Sequence, residues 1–169
     1  SHPDTFLFPP QFIERFITKE NVNDILKSIS PIYTNNVDIL SIDLDGNDFW
    51  IWESISEIDP RVVIIETNIA LSNKSIVVPY DPQITYPSKH HKDYFGASPK
   101  AVIKLANNKG FKLVAANNYG FNLIFVKKSA DSENKLPEKS FEDIAKHPRC
   151  KIKAEVLNEM SHLPFEEIL

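Results

Sequence analysis

Two short stretches concentrate oxygen donors. Asp43-Leu44-Asp45-Gly46-Asn47-Asp48 follows the apolar run VDILSI, and Glu66-Thr67-Asn68 follows RVVII. Carboxylate and amide oxygens at this density are the hard ligands that suit Mg²⁺ or Ca²⁺, so Asp43, Asp45, Glu66 and Asn68 form the candidate metal set. Packed carboxylates without a cation repel until one takes up a proton. The residues alone leave two readings open. At least one of Asp43, Asp45 and Glu66 serves a ligand or metal, or the stretch around Gly46 is only a turn and helix cap whose Asp side chains accept backbone N–H groups. Histidine is the side chain suited to general-base work, so His90-His91 offers one, against the plainer reading of a solvated loop between Lys89 and Lys92. An EF-hand is excluded, because that loop needs glycine sixth and glutamate twelfth, and counting from Asp43 places Gly46 fourth. The four glycines lie far apart, so no phosphate-cradling glycine loop can form.

These groups converge only if strands and helices deliver them to one place. Thr18 is expected to cap a helix carrying Val22, Ile25, Leu26 and Ile29 at helical spacing, with Pro31 beyond its end. Val37 to Ile42 reads as a strand buried on both faces, and Asn47 to Ile58 as a helix bearing Trp50, Trp52 and Ile55, stopped by Asp59-Pro60. The two tryptophans, two apart, cannot share a helical face, so one is expected in the core and the other bordering the cleft, with core packing the favoured place for each taken singly. Arg61 to Ile65 is the purest β-branched run and the expected central parallel strand. Residues 69 to 96 show no period and read as a long loop, in which Tyr80 and Asp81 fall at a proline-framed turn. Ser98-Pro99 starts a helix with Ala101, Val102, Leu105 and Ala106 on its inner face, and Gly110 ends it. Phe111 to Ala116 and Phe121 to Val126, joined by NNYG, form an antiparallel hairpin. Short helices are expected near Ser140 to Lys146 and Lys151 to Met160, in a C-terminal appendage. In an open parallel sheet the ligand crevice lies outside the carboxyl ends of the strands, so neighbouring strands would bring Asp43, Asp45, Glu66 and Asn68 to one rim.

Composition narrows the partners. A chain of 169 residues with 42% hydrophobic residues can build one domain with a sizeable core. A net charge of -4 supplies no basic field, which argues against nucleic acid as the main partner. Cys150 stands alone, which excludes an internal disulfide framework and a cysteine-based zinc cluster and fits a reducing compartment, the cytoplasm. Its basic neighbours Arg149 and Lys151 come without the histidine and acid of a nucleophile. No apolar run reaches the roughly 18 residues of a membrane span, and SHPDTFLFPP lacks the features of a signal peptide. Asn73-Lys74-Ser75 is a glycosylation sequon of a kind that arises often by chance.

SIDLDGNDFWIW at 41–52, VVIIETN at 62–68, VVPYDP at 77–82, YFGASPKAVIKLANNKGFKLV at 94–114 and GFNLIFV at 120–126 resemble, in order, the C-terminal half of FkbM-like S-adenosylmethionine-dependent methyltransferases. The likeness covers residues 18 to 128. It implies an α/β fold: half of a Rossmann-like methyltransferase sheet, parallel strands plus a terminal antiparallel hairpin, with helices on both faces. Residues 1–128 would be a partial domain holding the fourth to seventh strands, and 129–169 a helical appendage. The first three strands, which in such folds carry the cofactor's glycine-rich loop and acidic residue, would lie upstream at about 30 residues per βα unit. The resemblance further implies a hydroxyl acceptor on a small molecule or glycan. With the resemblance, Asp43, Asp45 and, from its own chemistry, His91 are the catalytic candidates, Asp43, Asp45 and Gly46 are expected beside the cofactor, and Trp50, Asn68, Tyr94 and Ser98 toward the substrate, Tyr94, Phe95 and Ser98 falling where the resemblance has a YGAS-like element. Metal-dependent O-methyltransferases hold Mg²⁺ at comparable strand ends; the E-T-N spacing departs from their adjacent pair. A fragment of an enzyme is the expectation. The alternative is a non-catalytic module that keeps half the sheet, whose Val37 to Ile42 edge invites pairing with a second copy.

Overall fold

The computed structural model describes residues 10–29, 37–71, 74–152 and 154–169. The expected stop at Pro31 and the sequon residue Asn73 lie outside them. In chain order the elements are α1 (Val22–Ile29), β1 (Ile39–Ile42), α2 (Asp48–Ser54), β2 (Val62–Glu66), β3 (Ile76–Val77), α3 (Pro99–Asn108), β4 (Phe111–Ala116), β5 (Asn122–Lys127), α4 (Phe141–Ala145), α5 (Ala154–Glu159) and β6 (Glu166–Glu167). Single 3₁₀ turns cover Ile69–Leu71 and Lys128–Asp131.

A four-stranded mixed sheet runs β1-β2-β5-β4. The β1 and β2 strands are parallel, in register from Ile39↔Val62 to Ile42↔Ile65. The last strand, β5, lies antiparallel to β2 on one side and β4 on the other. The β-branched run therefore is the central strand, with a parallel neighbour on one side only. The β4–β5 hairpin forms as its NNYG turn demands, with Gly120 at φ +81°. α3 begins and ends where its local chemistry dictates: the Ser98 hydroxyl accepts the Ala101 N–H, proline occupies the first turn, and Gly110 follows at φ +82°.

Three expectations change. The β1 strand is not buried on both faces: Ile39 is 60% exposed and Ser41 is exposed, so the face these alternate residues share is open, and among the described residues only β2 hydrogen-bonds to the strand. α2 ends at Ser54 instead of Ile58, since Ile55 turns to extended backbone (ψ 121°). The supposed loop 69–96 contains β3, which pairs with β6 from the far end of the chain. Thr18 closes the turn ahead of α1 by exchanging hydrogen bonds with Asn21, at 2.8 and 3.3 Å.

The main core joins Phe49, Ile51 and Trp52 of α2 to Val63, Ile65, Leu123 and Phe125 of the sheet and to α3. Trp52 sits between Phe111 and Phe125, with ring centres 5.8 and 5.5 Å away. Each such side chain contributes about 1.5–3 kcal/mol by leaving water. The segment after residue 128 is packed into this framework. Phe141 and Ile144 join the main core, and Met160 closes a second cluster with Leu71, Ile76, Val78 and Tyr94. Lys112, buried, fastens the same segment through Asp131 at 2.8 Å and the Leu136 carbonyl at 2.7 Å. No helix among the described residues is long and apolar enough to cross a membrane.

Candidate functional site

Because β1 and β2 run in the same direction and in register, the residues that follow them leave the sheet at one edge. Past Ile42 the chain enters a tight loop with Asp45 at φ +50° and Gly46 at φ +138°. Asp48, at the start of α2, folds back over it: one carboxylate oxygen accepts the Leu44 N–H at 2.9 Å and the other the Gly46 N–H at 3.0 Å. Asp48 is only 3% exposed, and burial lifts its carboxyl above the usual range while those two N–H groups pull the other way. Asp48 thus braces the loop ahead of α2, whose N-cap Asn47 makes no side-chain cap bond, and Asp43 and Asp45 are left exposed. Gly46 is a close-approach position, since a Cβ there would stand 2.7 Å from Ile84 Cδ1.

Oxygens of Asp43, Asp45 and Glu66 lie within 4.8 Å of one another. Glu66 is half-buried, and its carboxyl is pushed up to about 7, first by burial and then by the charges of Asp48, Asp43 and Asp45. Three hard oxygen donors at this spacing fit a shared divalent cation with ligand distances of about 2.0–2.6 Å. Without a cation, one carboxyl holding a proton relieves the repulsion.

Glu66, Thr67 and Asn68 line a cleft of about 580 Å³. Its other walls include Tyr86, Lys92, Asp93 and Phe95 from the long connection, Phe121, and Glu155 and Glu159 of α5. Asn68 fastens this wall. Its Nδ2 donates to the Asp93 and Phe95 carbonyls at 2.8 and 3.0 Å, and its Oδ1 accepts the Ala70 N–H at 3.0 Å, so the amide is committed to holding the loop.

The remaining sequence-derived positions divide plainly. His91 Nδ1 accepts the Asp93 N–H at 3.2 Å, which leaves Nε2 as the protonated nitrogen, 3.2 Å from Glu159. Both ring nitrogens are engaged, and His91 ties the long connection to α5 with no free lone pair for a base. Trp50 is buried and donates Nε1–H to the Val78 carbonyl at 2.9 Å, so neither tryptophan borders the cleft. Tyr94 is buried, its hydroxyl on the Pro164 carbonyl at 2.5 Å and its phenol lifted by burial. Ser98 is 0% exposed, its Oγ accepting the N–H groups of Ala101 and Ile76 at 3.1 and 3.2 Å. Trp50, Tyr94 and Ser98 therefore hold the 76–98 connection in place, and none of them lines this cleft. Sequence reasoning missed Asp93, Glu155, Glu159, Tyr86 and Phe121 as cleft residues. They are scattered over three segments with no shared period, and only the tertiary fold unites them.

Gly46, Gly96, Gly110 and Gly120 each occupy a separate turn at positive φ. The described residues hence form no glycine-rich cradle and do not by themselves fit S-adenosylmethionine. No family model, curated protein or solved structure matches the chain.

Proposed function

We propose that this chain supplies the acceptor side of an S-adenosylmethionine-dependent O-methyltransferase domain, the cofactor's grip coming from residues outside it. The observation that carries this reading is the convergence of Asp43, Asp45 and Glu66 within 4.8 Å at the carboxyl ends of two parallel strands. That edge is where open α/β sheets bind ligands, and an antiparallel last strand is what the FkbM-like resemblance implies. In methyl transfer the protein mainly positions donor and acceptor, and an acceptor hydroxyl must lose its proton. Glu66, half-buried at the cleft and titrating near neutrality, is the group suited to take it. With Mg²⁺ bound, Asp43, Asp45 and Glu66 would hold an ion able to lower the hydroxyl's pKa. The lone cysteine fits a cytoplasmic protein.

A second reading rests on one observation, that among the described residues β1 pairs only with β2 and leaves Ile39 60% exposed: a binding module that pairs this edge with a second copy. Calorimetry with S-adenosylmethionine separates the two. The 169-residue chain is expected not to bind it, and a form extended upstream by three βα units is expected to bind. Absence of binding by both forms rejects the enzyme reading in favour of the module.

A further inference from the structure

We propose that the 580 Å³ cleft takes an organic cation, an amine-bearing ligand whose ammonium lies against Glu66 and whose carbon skeleton lies on Tyr86 and Phe95. This deepens the proposed function by naming the acceptor's chemical class, and it rests on that reading only for calling the ligand an acceptor. The cleft falls within the roughly 300–1,000 Å³ typical of small-molecule sites. A single water occupies about 30 Å³, so a bare metal ion with its ligands would leave most of this space unfilled.

The charge of the walls is one-sided. Acids arrive from three separate parts of the chain: Glu66 from β2, Asp93 from the long connection, and Glu155 and Glu159 from α5. Lys92 is the single basic residue among the described lining, and His91 stands 3.2 Å from Glu159 and 3.9 Å from Asp93, which leaves Glu66 and Glu155. Glu66 receives no hydrogen bond and no ion-pair partner among the described residues, while Asp43, Asp45 and Asp48 press on it from the neighbouring loop. The apolar part of the wall is aromatic. Tyr86 is 55% exposed and meets Phe95 edge to face at 5.1 Å, a surface that suits both a hydrocarbon chain and a cation over a ring.

The test is titration calorimetry of the 169-residue chain, without S-adenosylmethionine, using spermidine, 1,8-octanediol and MgCl₂ as separate probes. Spermidine is expected to bind and the diol is not. Glu66→Gln, and Glu155→Gln on an exposed helix position, should each weaken spermidine binding while the circular-dichroism spectrum stays unchanged. Equal binding of the diol, spermidine binding that neither variant weakens, or Mg²⁺ binding with none of spermidine would overturn the proposal. Failure here leaves the cofactor experiment untouched, and failure there leaves this one untouched.

Discussion

Glu66 ends a strand that its own β-branched residues make central, so the fold carries a carboxyl into half-burial beside three other acids. Such a group works against the native state once it ionises. In the unfolded chain it titrates near 4.5, and in the folded chain at about 7. Between those values the native state holds a proton that the unfolded state has released, so stability falls as pH rises through the window and stays lowered above it. The replacement Glu66→Gln should therefore be near neutral at pH 4 and stabilising by on the order of 1–2 kcal/mol at pH 8, after discounting for partial exposure. Urea denaturation at the two pH values checks this, and an equal effect at both would remove the shifted titration. At this scale Asp43, Asp45 and Glu66 were legible because strand-terminal acids announce a rim. His91, Tyr94, Ser98 and Trp50 were not, because the atoms that occupy them belong to Glu159, Pro164, Ile76 and Val78, distant in sequence.

Elements whose boundaries rest on local chemistry were readable in full. α3 has its serine cap, its proline and its closing glycine within one short stretch, and the hairpin has its turn. The two-residue strands β3 and β6 were illegible, since neither carries a period and each exists only through the other. The edge position of β1 followed only from the resemblance to half a sheet, because an apolar run by itself looks the same whether one or two neighbours pair with it. Ser98 shows how such elements interlock, its one oxygen serving both the first turn of α3 and the amide that opens β3. Ser98→Ala should cost about 1–3 kcal/mol, more than a simple cap, because a second buried N–H loses its partner. Thermal unfolding measures it, and a loss below a few tenths of a kcal/mol would show that water or backbone replaces both bonds.

Across the whole molecule, the segment after residue 128 is where the reading from composition fell shortest. A polar stretch with two short helices suggests an appendage, yet its sparse apolar residues, Phe141, Ile144 and Met160, are buried against the rest. Met160, with no exposed surface, backs the helix that carries Glu155 and Glu159. Met160→Ala should destabilise the protein by about 2–4 kcal/mol. It should also make the 84–94 connection cleave faster in limited proteolysis, because His91 and Tyr94 lose the surface they lean on. Unchanged cleavage with full destabilisation would uncouple α5 from that connection.

The docking of α5 opposite β2 also has a consequence in time. Glu66 emerges from a ribosome long before Glu155 and Glu159, so a nascent chain carries one bank of the cleft without the other. Contacts this distant along the chain form slowly, and the ligand-ready shape is a late event of synthesis that no early folding unit can rehearse.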